Sequence, residues 1–288
     1  MSVLLGTLCL GEMQWLPMLW EQHRDWPGLA KWVFVESADV EYARVNPDHV
    51  SPEGLSVDGT TEFLEGLAER DPRVIHIRHG FSSHRDPAVG KAAARQRYLD
   101  VAEEVRPEYV LAVDADEFYT REDQAKLLQV MDERRSYRAF TFPRREIWRP
   151  PCWADRPLFD CEVVGGFWQI PCGHWFRWSP GMHYADCHNT PVDARGRHLN
   201  NRLLHLHDKA DTPGLPQMVH LGFAAKLESR VAKHRYYAGR GEDRDRQRKW
   251  YVHSRAAWET WQPGEELPRG AKVIPYQGPV PEVFRAPA

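Results

Sequence analysis

The sequence predicts an α/β protein built on a mostly parallel, doubly wound sheet with flanking helices. Short apolar runs typical of buried strands alternate with segments of helical periodicity as far as Val113. The helical segments reach about ten or more residues, which is enough for crossover connections between parallel strands. In such a sheet, ligands bind beyond the carboxyl ends of the strands.

The predicted elements follow in the order strand, helix, strand, helix, strand, helix, strand. Four strands are predicted, at residues 3–10, 32–35, 74–77 and 109–113. The three helices between them are a first one with Pro17 in its opening turn, a second at residues 61–70 and a third at residues 88–105. This alternation is the basis of the parallel-sheet prediction.

The second half of the chain has a different composition and periodicity. Residues 143–218 are rich in Pro, Gly, Trp and Cys with little periodicity, so we expect long loops and short strands there. Residues 222–262 return to a charged, helical pattern. From Pro263 the chain is proline-rich, and we expect irregular chain that wraps around the body.

Composition excludes several classes of protein. The 288 residues carry a net charge of −3, which argues against binding nucleic acid or an anionic membrane by bulk charge. Five cysteines, an odd number in a chain of this size, favour a reducing compartment, so we expect a cytoplasmic location. The apolar run 3–10 lacks a basic segment and is too short to span a bilayer, so neither a signal peptide nor membrane attachment is expected.

Three carboxylates directly follow the fourth predicted strand, at Asp114, Asp116 and Glu117. So much negative charge at a ligand-binding sheet edge calls for a cation. Mg²⁺ and Mn²⁺ take oxygen ligands and leave coordination positions for substrate phosphates. A second Asp-x-Asp, at residues 243–245, lies in a charged run without a preceding strand, so we assign it no role.

The order of these elements and motifs resembles the GT-A glycosyltransferases, specifically the large family 2 type, over about residues 3–237. Val35–Asp39 is similar to the acidic loop that holds the nucleoside in that family. Gly90–Gln96 is similar to a helix that precedes the Asp-x-Asp. The resemblance therefore implies a GT-A fold in which Glu36, Asp39, Lys91, Arg95 and Asp114 contact a nucleotide sugar.

Downstream motifs extend the resemblance. They are Arg177, Pro180-Gly181, His188-Asn189 and the stretch His220–Phe223 followed by Lys226, Arg230 and Lys233. The resemblance implies that His220 completes a metal site with Asp114 and Asp116. It also implies that Lys226 and Arg230 bind the diphosphate, whose charge they would offset.

The general base departs from the family pattern, because Asn189 stands where the family has Glu. An inverting transfer needs a proton acceptor near the acceptor hydroxyl. We predict Asp186 in that catalytic role, with His188 orienting it. The alternatives are that Asp186 only caps a turn and that the enzyme is retaining and uses no such base.

These observations predict a metal-dependent glycosyltransferase that uses a nucleotide diphosphate sugar, with UDP favoured by the resemblance alone. The acceptor stays open between a protein or peptide, a small glycan and a modified DNA base. The alternatives are a metal-dependent phosphohydrolase or nuclease and a non-catalytic carbohydrate-binding protein of the same fold. We expect residues 1–142 to form the donor half of one GT-A domain, 143–221 the acceptor half and 222–288 a helical extension with its tail.

Overall fold

A computed structural model describes most of the chain. The described residues are 1–82, 87–149, 158–164, 175–185, 191–199, 203–205, 215–239 and 271–285. None of the helices in these ranges has the length and apolar character needed to cross a membrane.

Strands and helices alternate through the first half of the chain. The elements are β1 (Val3–Cys9), α1 (Leu16–His23), β2 (Leu29–Ala38), α2 (Val40–Val45), α3 (Thr60–Arg70), β3 (Val74–Phe81), α4 (Pro87–Val105), β4 (Tyr109–Ala112), β5 (Glu117–Phe118) and α5 (Arg121–Glu133). A short 3-10 helix, Pro47–His49, lies between α2 and α3. The four strands and three helices predicted up to Val113 are present, and α2 is an addition that the sequence pattern did not reveal.

The second half contributes mainly short strands. They are β6 (Ala139–Thr141), β7 (Arg144–Trp148), β8 (Cys161–Val164), β9 (Trp175–Arg177), β10 (Leu203–His205), β11 (Met218–Phe223) and β12 (Lys272–Pro275). The last helix, α6 (Leu227–Gly239), follows β11, and a 3-10 helix occupies Glu282–Phe284. The helical pattern predicted from residue 222 therefore begins later, because residues up to Phe223 pair as a strand; residues 240–262 lie outside the described ranges.

The larger sheet has seven strands in the order β10-β6-β9-β4-β1-β2-β3. The run from β4 to β3 is parallel throughout, and β9 pairs antiparallel with both β4 and β6. The predicted α/β fold class, with a mostly parallel sheet and flanking helices, is confirmed. The carboxyl ends of β1, β2 and β4 consequently meet at one edge.

Both faces of this sheet are buried, which explains the continuous apolar runs of its strands. Leu4 and Val33 pack on one face with Tyr98 of α4. Leu5 and Phe34, one position further along each strand, pack on the other face with residues of α1 and α3. Helices on both faces therefore fix the register of the sheet.

The smaller sheet has five strands in the order β12-β8-β7-β11-β5. β11 lies between β7, to which it is parallel, and β5, to which it is antiparallel. In this register His220 of β11 stands opposite Glu117 on one side and opposite Glu146 on the other. The pairing brings the chain after β4 into contact with β11.

The C-terminal segment packs against the body, as predicted, but it is not wholly irregular. β12 forms an edge strand antiparallel to β8. Further on, Glu282 accepts a hydrogen bond from Nε2 of Gln22 at 2.6 Å, and Phe284 packs against Phe118 of β5 with ring centroids 4.9 Å apart. The division into residues 1–142, 143–221 and 222–288 stays a prediction.

Candidate active site

A cleft with a volume of about 250 Å³ opens at the carboxyl ends of the parallel strands, where the α/β topology places ligands. Its wall combines the end of β1 and the following loop, the end of β2 with α2, the start of α4, the loop after β4, and α6. Among the residues predicted to bind donor or metal, the wall includes Asp39, Lys91, Asp114, Asp116 and Arg230.

Asp114 is held in place from two directions. Its backbone N–H donates to Oε2 of Glu117 at 3.0 Å, and its Oδ1 accepts from Nη2 of Arg95 at 3.3 Å. Arg95 projects from α4 and is buried, so its charge offsets that of Asp114 beneath the cleft surface. Arg95 is not part of the cleft wall, and its predicted contact with the donor stays a prediction.

Glu117 is the buried member of the carboxylate loop, residues 114–117, which follows β4. Burial, together with the charge of Asp114, raises the pKa of Glu117 to about 8, although His220 and the backbone hydrogen bond with Asp114 act in the opposite direction. Glu117 is therefore mainly protonated at neutral pH. Of the three carboxylates noted in the sequence, Asp114 and Asp116 therefore line the cleft, whereas Glu117 is a neutral group that supports the loop.

Asp116 faces His220, which the pairing of β5 with β11 brings alongside. Oδ2 of Asp116 lies 3.4 Å from Nε2 of His220. The other ring nitrogen, Nδ1, lies 2.6 Å from Oε2 of Glu146. Desolvation lowers the pKa of His220, but the charges of Glu146 and Asp116 outweigh it and raise the pKa above its usual value.

Gly222 allows the Asp116–His220 pair to pack closely against its strand. A Cβ atom at Gly222 would lie 2.5 Å from Cε1 of His220 and 3.1 Å from Oδ2 of Asp116. Contacts this short do not occur without displacement of one partner, so a larger residue would push into the Asp116–His220 pair. Glycine at this position is therefore required by close approach.

The donors of the Asp116–His220 pair suit Mn²⁺ or Mg²⁺, since carboxylate and imidazole both bind such ions. Within the described ranges, no group of three or more His, Cys, Asp or Glu side chains is placed to hold a metal ion. The predicted set of Asp114, Asp116 and His220 is not gathered into one such group, and it stays a prediction. Asp116 and His220 are the two members of that set that lie together, 3.4 Å apart.

Basic side chains reach the same cleft from α6. Lys233 lines it, and although desolvation lowers the pKa of its amine, Asp116 and other nearby charges raise the pKa above the usual value. Lys233 also keeps a solvent-exposed surface. Arg230 is buried between Trp148 and Phe223, with its Cζ 5.3 Å and 5.5 Å from their ring centroids.

Lys226 does not line the cleft, and its predicted contact with the diphosphate stays a prediction. It precedes α6, its side chain is exposed and lies off the cleft wall, and its backbone N–H donates to Oε1 of Gln14 at 3.1 Å. Arg230 and Lys233 occupy the cleft instead because they lie three positions apart on one face of α6.

Glu36 and Asp39 belong to the same predicted acidic loop but lie in different surroundings. Glu36 is fully buried, and its carboxylate contacts the backbone N–H of Ser56 at 2.6 Å, Oγ1 of Thr61 at 2.8 Å and Nε2 of His76 at 3.1 Å. It fastens the loop before α3 to the sheet and does not line the cleft. Glu36 thus has a structural role, and its predicted contact with the nucleoside stays a prediction.

Asp39 does line the cleft, at the start of α2. Its Oδ1 accepts hydrogen bonds from the backbone N–H groups of Glu41 and Tyr42, at 2.8 and 3.3 Å, and so caps this helix. The carboxylate is thereby held in one orientation at the cleft surface. This placement is compatible with its predicted role toward a nucleoside.

Sequence reasoning missed an aromatic part of the wall. Tyr42 of α2 packs edge-on against Tyr236 of α6, with ring centroids 5.6 Å apart, and Tyr237 and His49 also line the cleft. Burial raises the pKa of Tyr42 to about 12. The only available signal was the Tyr236–Tyr237 pair, three and four positions after Lys233 on the helical pattern.

Glu12 is a second residue that the sequence reasoning missed. It lines the cleft from the loop after β1, and burial, followed by the charge of Asp116, raises its pKa well above the usual value. Its position just beyond a predicted strand was the one signal that could have identified it. Asp186, His188 and Asn189, the residues of the predicted base, lie outside the described ranges.

Comparisons with known proteins gave only structural likenesses. No protein family model matches the sequence, and no curated protein sequence matches it significantly. A crystal structure of residues 1–349 of S. aureus TarS in complex with UDP-GlcNAc is similar, with 14% identity and a TM-score of 0.44 over 88% of this chain and 72% of that chain. The mannosyltransferase PcManGT from Pyrobaculum calidifontis, in complex with GDP-Man and Mn²⁺, is similar with 15% identity and a TM-score of 0.40, over 90% of this chain and 71% of that chain.

Proposed function

We propose that this protein is a metal-dependent glycosyltransferase that moves one sugar from a nucleotide diphosphate sugar to an acceptor. The observation that carries the proposal is the composition of one cleft. It combines an aromatic region for a base, cationic side chains for a diphosphate and, for a divalent cation, Asp116 with His220 3.4 Å behind it. Each part of a nucleotide sugar thus has a chemically matched group in the same cleft.

The nucleoside is held by the region around α2 and the end of α6. Tyr42 and Tyr236 offer aromatic side chains, on which any nucleobase can stack. The capped carboxylate of Asp39 accepts hydrogen bonds from ribose hydroxyls. These contacts are equal in the ground state and the transition state, so they set donor affinity more than turnover.

The diphosphate is held by fixed positive charge. Lys233 stays protonated because the nearby carboxylates raise its pKa, and Arg230 and Lys91 reach the cleft from α6 and α4. As the bond to the sugar breaks, charge builds up on the departing diphosphate, and these side chains stabilise it. Asp116 and His220 would hold the divalent cation, which supplies Lewis-acid stabilisation of the same oxygens when bound.

The base for an inverting transfer is part of the proposal. Asp186 accepts the proton of the acceptor hydroxyl, and His188 orients that carboxylate. Asp186→Asn should abolish transfer while the affinities for donor and Mn²⁺ stay unchanged. Product with retained anomeric configuration, observed by NMR with the wild-type protein, would contradict the assignment.

Release of nucleoside diphosphate from a panel of UDP- and GDP-sugars, with and without Mn²⁺, tests the function. We expect release from one donor class, with loss of activity in excess EDTA. Asp116→Ala should lower turnover by at least about 100-fold, as expected when a charge stabiliser worth several kcal/mol is removed. Asp100→Ala is the matched control, because Asp100 pairs with Arg97 on the surface of α4 away from the cleft. Full activity in EDTA would refute metal dependence, and failure to bind or cleave any donor would refute the function.

A further inference from the structure

Glu146 is a buried carboxylate that no motif identified and that does not line the cleft. It lies on β7, where the parallel pairing with β11 places it in register with His220. Its side chain is only 1% exposed. A carboxylate buried this deeply needs specific partners, and these partners indicate its role.

Two short contacts fix the Glu146 carboxylate. Nη2 of Arg144 lies 2.5 Å from its Oε1, and Nδ1 of His220 lies 2.6 Å from its Oε2. An ionised carboxylate can only accept hydrogen bonds. The contact with His220 therefore requires the proton to be on Nδ1.

Protonation of Nδ1 determines what the other ring nitrogen does. In the neutral imidazole, Nε2 then carries a lone pair, and this atom lies 3.4 Å from Oδ2 of Asp116. The lone pair of Nε2 and the Asp116 carboxylate are both electron-pair donors, so their approach is favourable when a cation or a proton lies between them. Gly222, which has no Cβ, lies directly against both side chains and lines the cleft together with Asp116.

We propose that Glu146 is a positioning residue that holds His220 in the Nδ1-protonated form, so that Nε2 and Asp116 present a two-donor cation site to the cleft. Glu146 acts through His220 and touches neither donor nor acceptor. The proposal rests on the proposed function for the use of that site. Partners that bind the second ring nitrogen of a metal-binding histidine commonly have this effect.

The ring state can be measured without metal or donor. The full chain is labelled with ¹⁵N-histidine and studied by long-range ¹H–¹⁵N correlation at a pH where the imidazole is neutral. Loss of one signal set in His220→Gln assigns His220 among the 14 histidines. We expect the Nδ1–H tautomer in the wild type and in Glu146→Gln, whose amide oxygen can still accept, and the Nε2–H tautomer in Glu146→Leu.

Cation affinity provides the second measurement. Titration calorimetry with MnCl₂ should show a dissociation constant about 10- to 100-fold higher for Glu146→Leu, the usual loss when such a partner is removed. Glu146→Gln, which keeps the shape but not the charge, should lose at least about 3-fold by the same reasoning. Glu162→Leu and Glu162→Gln are matched controls, because Glu162 is equally buried in the same sheet but pairs with Arg145 at 3.2 Å. These controls should bind Mn²⁺ like the wild type.

The outcomes separate the two proposals. An Nδ1–H tautomer in folded Glu146→Leu, or wild-type Mn²⁺ affinity in that variant, would overturn the role of Glu146. If Glu146→Leu does not fold because Arg144 loses this ion pair, an Nε2–H tautomer of His220 in the wild type overturns it equally. A wild type that has the expected tautomer but cleaves no nucleotide sugar would refute only the proposed function.

Discussion

His220 and Asp116 are neighbours only because β5 and β11 pair in antiparallel register, which places Nε2 of the imidazole 3.4 Å from Oδ2 of the carboxylate. The side chains come from opposite halves of the chain. Their approach depends on Gly222, which follows His220 on the same strand by two positions. This relationship gives a direct test of the cation site.

Gly222→Ala should weaken Mn²⁺ binding by at least about 10-fold, because the added methyl group would lie 2.5 Å from Cε1 of His220 and displace one donor of the pair. Calorimetry with MnCl₂ measures the effect. Gly66→Ala on α3 is the control, since its nearest neighbour would be 3.9 Å away. Wild-type Mn²⁺ affinity in a folded Gly222→Ala protein would mean that the cation binds elsewhere.

Tyr42→Ala should weaken binding of the nucleoside diphosphate by about 5- to 100-fold, since stacking on an aromatic side chain contributes about 1–3 kcal/mol per base. Calorimetry with UDP and with GDP measures this loss. Tyr42→Phe keeps the ring and should bind nearly as the wild type does. Equal affinities in all three proteins would show that the base lies outside the region formed by Tyr42 and Tyr236.

Glu36→Ala should reduce the free energy of unfolding by about 2–4 kcal/mol, because it leaves the backbone N–H of Ser56 and the hydroxyl of Thr61 without their buried acceptor.

Asp39→Asn keeps an oxygen that can cap α2 and should instead raise the donor KM more than it lowers kcat. Urea unfolding and steady-state kinetics distinguish the two effects. A Glu36→Ala protein of normal stability with a raised donor KM would restore the role first predicted for Glu36.

Stability should depend on pH through His23, which is fully buried beside Trp26, with Nε2 accepting from the backbone N–H of Tyr119 at 3.1 Å. Burial lowers its pKa to about 3, below the unfolded-state value of about 6.5. The unfolded state therefore binds more protons between these values, so stability falls as pH decreases from about 6.5 toward 3. A single group contributes a slope of up to about 1.4 kcal/mol per pH unit.

His23→Gln tests this assignment, since the amide can accept the same hydrogen bond but does not titrate. Urea unfolding between pH 4.5 and 6.5 should show a shallower pH dependence in this variant. His183→Gln changes an exposed histidine and should keep the wild-type slope. Equal slopes in all three proteins would assign the acid sensitivity to other groups.

The parallel half of the fold could be predicted because its signals are local. Each of β1, β2 and β4 is a continuous apolar run, and Asp114 and Asp116 directly follow the last of them. The chain up to Val113 therefore showed both the sheet and its ligand-binding edge.

Other parts of the site depend on strand pairing and on helix boundaries, which a single sequence does not show. Glu146 could not be linked to His220, because only the β7–β11 register brings them together. Lys226 was assigned to the diphosphate through the family resemblance, which does not show that Lys226 precedes α6. Glu36 was assigned to the nucleoside through the same resemblance, which does not show that Ser56 and Thr61 use its carboxylate.

The pairing of β5 with β11 also determines when, during translation, His220 can reach Asp116. When the ribosome has completed β4, the parallel core from β1 to β4 has all its strands, whereas the carboxylate loop still lacks its partner strand. The nascent chain therefore presents Asp116 without His220 until β11 has been translated. Under the proposed function, a divalent cation would meet both donors only after β11 has been added, so cation binding would report completed folding.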